Sequence, residues 1–358
     1  MPHPYKTLPA RNFWKKAVAP VPWHQVFDAE RGKFRIGPAD LVSTAGSCFA
    51  QRISRHLKAK GFAYAEFEQA HPLVDAATAT TLGYGTFSAR YGNVYTTRQL
   101  RQLVEQAFGL RAPILDIERA ASGKFIDLLR PAVNDGGFSS RQEAVADRLF
   151  HLGRVKEMFL RSDVFIFTLG LTETWTDAAG DVFYGVHPAV STGLDVRADA
   201  LPRNLDYIEC YNDLAQLVTF LRTHNPALKF LFTVSPVALA ATHQDKHVLA
   251  ATMYSKSVLR AAVGRITDQL PFADYFPSYE VFNSAQSFGQ YLSEDLRDAS
   301  PRGVGVAMRL FETMFFDAAP QPAAAPVVAA ARVEPMPVAA AANAADVECE
   351  EILNAAFS

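Results

Sequence analysis

Two stretches, Val164-Phe-Ile-Phe-Thr-Leu169 and Phe230-Leu-Phe-Thr-Val234, carry an apolar or β-branched residue at every position. A strand with one wet face alternates apolar and polar residues, so unbroken runs of this kind belong to strands covered on both faces. Such strands are characteristic of parallel sheets, whose return helices supply the cover. Two shorter runs fit the same description, Asp40 to Ala45 and Ala273 to Phe276. Between them, apolar residues recur at helical spacing. Phe49, Ile53 and Leu57 form one stripe, Leu100, Leu103, Val104, Ala107 and Phe108 another, and Ile208, Tyr211, Leu214, Val218 and Leu221 a third. Val258, Ala262 and Ile266 continue the pattern, and Val304, Met308 and Phe311 close it. Strands alternating with amphipathic helices predict a doubly wound α/β sandwich.

The 358 residues are 49% hydrophobic, enough for a substantial core, with 35 Lys and Arg against 37 Asp and Glu. That balance supplies no basic field for nucleic acid. Three cysteines at positions 48, 210 and 349 match neither a zinc site nor a disulfide framework, and their odd number favours a reducing compartment. The start of the chain lacks the apolar core of a signal peptide, and no apolar run is long enough to span a bilayer. These features predict a cytoplasmic protein with no metal and no cofactor. Residues 1–317 have the texture of a folded domain. Residues 318–346 are almost all Ala, Pro and Val and read as a disordered linker or tail, while 347–358 regain a short amphipathic pattern suited to a protein partner or to a frayed end.

Ligands of doubly wound sheets bind beyond the carboxyl ends of the strands. The residues found there are Gly46-Ser-Cys, Gly170-Leu-Thr-Glu and Ser235-Pro-Val. A cysteine opening a helix feels the positive end of the helix dipole, which favours its thiolate and makes Cys48 a candidate nucleophile. Ser47 is the alternative after a one-residue shift in the turn. A third possibility is that Cys48 only seals the strand–helix junction as a small hydrophobe.

Six ordered segments, "TAGSCFAQRISRHL", "ARYGNVYTTRQL", "FTLGLTETW", "TVSPVALAAT", "YSKSVLRAA" and "DYFPSYE", resemble the GSCFA family. That family in turn resembles the SGNH or GDSL-type hydrolases, three-layer α/β/α esterases and acyl-group hydrolases with a mostly parallel sheet. The resemblance implies an acyl-transfer enzyme acting on an acyl ester, plausibly of a carbohydrate. It places Cys48 on the nucleophile, with Ser47 beside it. Gly92 and Asn93 fall on the second block as oxyanion donors, the bland reading being a tight turn. Thr172 and Glu173 stand where a Gly-x-Asn-Asp block would carry its asparagine and aspartate; Glu173 reads equally as an acid near the start of the next helix. In the last block Asp295 is present, but Asp298 replaces the histidine. His243 and His247 are the replacements within reach in sequence, and His247 is favoured as the base. Lys256 is either a substrate-binding group or a surface lysine. The rival reading is a catalytically silent scaffold that binds a carbohydrate or a protein partner.

Overall fold

The computed structural model describes residues 3–28, 30–134 and 136–316. The Ala/Pro-rich segment and the amphipathic end lie outside the described residues. Four parallel strands, β1 (Val42–Gly46), β2 (Val164–Leu169), β3 (Lys229–Val234) and β4 (Ala273–Tyr275), stand side by side in that order. They coincide with the apolar runs of the sequence. A short edge is added beyond β1, where the Val42 N–H donates to the Ala63 carbonyl (3.0 Å) and the Ala65 N–H to the Val42 carbonyl (2.8 Å). Tyr64 thereby pairs in parallel with Val42. The chain thus visits one side of β1 before crossing to β2 on the other, which makes the β1/β2 boundary the topological switch point of the sheet.

Six longer helices cover the sheet: α1 (Cys48–Ala59), α2 (Thr97–Ala107), α3 (Arg141–Arg161), α4 (Tyr207–His224), α5 (Val248–Gln269) and α6 (Pro301–Phe315). Strand alternation divides the core between the two faces. Phe165, Phe167, Phe230 and Phe232 pack with residues of α2, α3, α4 and α5, including Val104, Val155, Leu217 and Leu259. Val164, Ile166 and Leu231 pack under α1 and α6 with Phe49, Ile53, Phe311 and Phe315. The result is the three-layer α/β/α sandwich. Each of those sheet phenylalanines is fully buried and contributes about 1.5–3 kcal/mol relative to exposure.

Local signals fix where the helices next to the switch point begin. Thr96 and Gln99 form a capping box at the start of α2, and Asp206 and Glu209 form another at α4. Beyond β2 the chain turns into a small antiparallel sheet of Glu173–Thr176, Phe183–Tyr184 and Leu201–Asn204. Among the described residues no helix is long and apolar enough to cross a membrane.

Candidate functional site

β1 ends in a close approach. Gly46 has φ +136°, and a Cβ there would lie 2.3 Å from the Thr168 carbonyl of β2, so only glycine lets the two strands meet in this way. Ser47 follows in extended conformation, its N–H donating to that same carbonyl (3.2 Å). Ser47 occupies the N-cap position of α1, yet its side chain makes no capping bond. Cys48, half-buried, is the first helical residue, beside backbone N–H groups that the helix leaves unpaired.

Two further segments close around this turn. The Val94 N–H donates to the Gly46 carbonyl (3.0 Å), which brings the 91–95 loop over the end of β1. Gly170 and Leu171 both donate to the Tyr95 carbonyl (2.9 and 3.0 Å). Gly170 sits so tightly that a Cβ there would be 3.3 Å from both the Ser47 Cβ and the Tyr95 ring. Gly92 takes a left-handed conformation (φ +66°), and Asn93 follows it. Turn and oxyanion candidate are therefore the same structure. Ser47 Oγ and Thr168 Oγ1 are buried here without a hydrogen-bond partner; Asn93 Oδ1, also unpaired, belongs to a residue lining a cavity with Gln102, Gln106, Arg130 and Arg148 on the other side of the loop. Thr168 is the register partner of Gly46 and lies on the α1 face of the sheet with Val164 and Ile166.

The block after β2 is built differently from the helix start that Glu173 suggested. Glu173 opens a strand, in register with Asn204, because Thr-Trp-Thr prefers an extended, alternately buried backbone. Thr172 is fully buried. Its hydroxyl donates to Asn204 Oδ1 (2.6 Å) and lies 3.0 Å from Ser255 Oγ, which also accepts the Thr172 N–H (2.9 Å). The single hydroxyl proton of Thr172 is thus committed to Asn204, which leaves the Asn204 NH2 as the donor this pair presents. Glu173 accepts from the Thr242 hydroxyl (2.7 Å) and the Gln244 amide (2.6 Å), with His243 Nε2 at 3.5 Å. The Trp175 ring stands near His187 (4.5 Å) and His243 (5.5 Å).

Lys256 is not a surface lysine. It is fully buried, and its ammonium donates to the Gly170 carbonyl (2.7 Å). His247 is the N-cap of α5, exposed, with Nδ1 accepting the Leu249 N–H (3.2 Å). At 1.5 Å per residue it stands roughly 13 Å along the helix from Lys256, so the level of α5 that meets the Gly170 loop is Ser255-Lys256. Asp295 is exposed and accepts the Arg297 and Asp298 N–H groups (3.0 and 3.1 Å). The Asp298 carboxylate receives Arg297 (3.1 Å).

Behind the 91–95 loop lies a buried ionic network. The Arg90 N–H donates to Glu68 Oε2 (2.8 Å), and the same oxygen meets His151 Nδ1 (2.7 Å). Arg130 bonds Asp127 and Asp147 (2.8 Å each) and donates to the Arg90 carbonyl (3.3 Å). Burial, with Arg130 nearby, pushes the His151 imidazole down to about 4. Burial pushes the Cys210 thiol the other way, up to about 12.

Sequence reading therefore located Ser47, Cys48, Gly92, Asn93 and Thr172 in the elements that meet at the switch point, and missed Thr168 and Asn204. Thr168 left a signal, as the one polar residue of "VFIFTL" and next to its carboxyl end. Asn204 left none, since a strand pairing distant in sequence delivers it. A helix N-terminus at the switch point of a doubly wound parallel sheet defines an α/β protein with a tight strand–helix turn at that point. The profile of the GSCFA family matches residues 41–311, and the chain belongs to that family. Comparison with curated proteins gave no match.

Proposed function

We propose that the protein is an SGNH-type acyl-transfer enzyme, an esterase or an O-acyltransferase, with Cys48 as nucleophile and Ser47 as the alternative. The observation that carries this reading is the pair of idle buried hydroxyls at the ends of β1 and β2, Ser47 Oγ and Thr168 Oγ1. Leaving a buried polar group unpaired costs about 1–3 kcal/mol, a cost that native folds seldom keep away from functional positions. The Cys48 sulfur attacks the acyl carbonyl carbon, and the carbonyl oxygen becomes an oxyanion held by the Gly92 N–H and the Asn93 and Asn204 amides. Collapse expels the alcohol, which takes up a proton. Water or an acceptor hydroxyl then attacks the thioester, gives up its proton and releases the sulfur. A carbohydrate ester suits the half-buried Trp175 ring, against which a sugar can lie. For His247 to move the proton with Asp295 behind it, the 235–247 loop must fold over the turn when substrate binds.

A silent scaffold that binds a carbohydrate or a protein partner is the second reading. It is favoured by the Asp298 carboxylate, paired with Arg297 in place of a histidine, and by the commitment of the Thr172 hydroxyl to Asn204. Steady-state turnover of aryl esters and acyl thioesters separates the two. Cys48→Ala is expected to lose at least about a thousandfold in kcat. Undiminished turnover in both Cys48→Ala and Ser47→Ala removes the enzyme reading.

A further inference from the structure

We infer that the basic arm near the start of the chain is the docking surface for the acidic segment 346–357 of the same chain, whether or not the Cys48 turn is catalytic. The arm carries Lys6, Arg11, Lys15 and Lys16, and no Asp or Glu precedes Asp28. This charge is local, since the net charge of the whole chain is −2. None of the four cations meets a carboxylate among the described residues; Lys16 lies only over the Phe13 ring (4.6 Å). Lys58 and Lys60, by contrast, are paired with Glu66 and Glu312. The arm is built of short turns that bury no residue. Tyr5 is 61% and Trp14 68% exposed. Exposed aromatic side chains grouped with unpaired charge of one sign mark a surface made for a partner.

The chain carries a matching partner. Asp346, Glu348, Glu350 and Glu351 supply the opposite charge, and no Lys or Arg follows Arg332. Ile352, Leu353 and Phe357 fall among these acids at the spacing of one apolar stripe. The two segments also start from neighbouring points. The root of the arm is fastened to α6, where Arg309 donates to the Asp28 carboxylate (3.1 Å) and to the His24 carbonyl. The described chain leaves the body at Phe316, roughly 10 Å further along that helix. A coil as long as the connection between Phe316 and Asp346 has an r.m.s. reach of roughly 30 Å. Such tethering gives an effective concentration on the order of millimolar. Contacts with an intrinsic Kd of about 100 μM then keep the segment docked about nine-tenths of the time. An anionic membrane could meet the same cations, but the chain's own acids are within reach at all times.

Amide exchange of the full chain, read by mass spectrometry, tests the docking. Amides of 347–357 should exchange about tenfold more slowly in the parent than in Lys15→Glu/Lys16→Glu, which sets like charges against each other. Both lysines are exposed, so the variant keeps the fold. Adding Glu350→Lys/Glu351→Lys to that variant should restore the protection. Protection should not change with protein concentration. Carbodiimide coupling in the parent should join the acids of the segment to Lys6, Lys15 or Lys16 in preference to Lys58 and Lys60. Absent protection, or protection indifferent to the charge reversal, overturns the inference. So does protection that rises with protein concentration, which assigns the segment to a second copy, or coupling that favours Lys58 and Lys60. Vesicles of phosphatidylcholine and phosphatidylserine supply the last arm. The parent should bind them more weakly than a chain ending at Ala345, and equal binding shows an arm left open to membranes and overturns the inference as well.

Discussion

Thr168 and Thr233 stand opposite each other in the β2/β3 register, both fully buried on the same face of the sheet. Thr233 donates to the Phe276 carbonyl (2.7 Å) and meets the Ser278 hydroxyl (2.7 Å), whereas Thr168 has no hydrogen-bond partner. Same residue type, same depth and adjacent strands give opposite outcomes. At the β3/β4 side the chain folds back to satisfy the hydroxyl. At the β1/β2 side it brings Gly46, Ser47 and the 91–95 loop instead, and leaves Ser47 Oγ idle as well. The ionic network behind the loop sharpens the contrast. Glu68, His151 and Arg148 each have one unpaired atom, but each is also held through another. A serine or threonine has a single side-chain oxygen and no such second anchor. Ser191 Oγ and Tyr291 OH are idle elsewhere among the described residues, so what sets the switch point apart is that Ser47 and Thr168 both lie at the ends of β1 and β2.

The comparison can be broken at several points, beginning with the largest effect. Arg130→Met removes one cation from Asp127, which keeps Arg148 (3.7 Å), and one from Asp147, which keeps Arg90 (2.7 Å), and it frees the carbonyl of Arg90. Chemical denaturation should show a loss of about 3–5 kcal/mol. Thr233→Val removes a donor from the Phe276 carbonyl and should cost about 1–3 kcal/mol in the same assay. Thr168→Val deletes a hydroxyl that has no partner, so it should leave stability unchanged or raise it by about 1 kcal/mol while lowering turnover. Equal losses for the two valine variants would erase the distinction on which the site rests.

The gentlest effect is on pH. His151 titrates near 4 in the fold, below its ordinary 6.5, because burial opposes its charge. The unfolded chain binds that proton first. The stability this group contributes is therefore whole above pH 6.5 and declines as the pH falls toward 4. Melting temperatures recorded between pH 7 and 4 should show the decline, and His151→Gln should flatten it.

How much of this could be read from the chain followed from the range of the interactions involved. The four central strands announced themselves because burial on both faces forces unbroken apolar runs, and α1 because Phe49, Ile53 and Leu57 repeat at helical spacing. Gly46-Ser47-Cys48 was legible for the same reason, being continuous with its strand and helix. The antiparallel strands at Glu173–Thr176 and Leu201–Asn204 were not. They are short, and their pairing joins segments far apart in sequence, which no local period encodes. Asn204 came with them. Lys256 was ambiguous because a lysine inside an amphipathic helix looks the same whether it faces water or the sheet. Only the packing of α5 against the Gly170 loop decides. His247 looked well placed because it begins the α5 segment after a strand, but the helix carries it away from the level at which α5 meets the switch point.

The most direct test is chemical capture of the acyl group. The full chain is incubated with an aryl acetate, quenched in acid and digested, and the modified peptide is mapped by mass spectrometry. An acetyl group on Cys48, lost in Cys48→Ala and depleted in Thr168→Val, is the result predicted. Acetylation scattered over exposed lysines, with the Cys48 peptide unmodified and Ser47 bare, would contradict it.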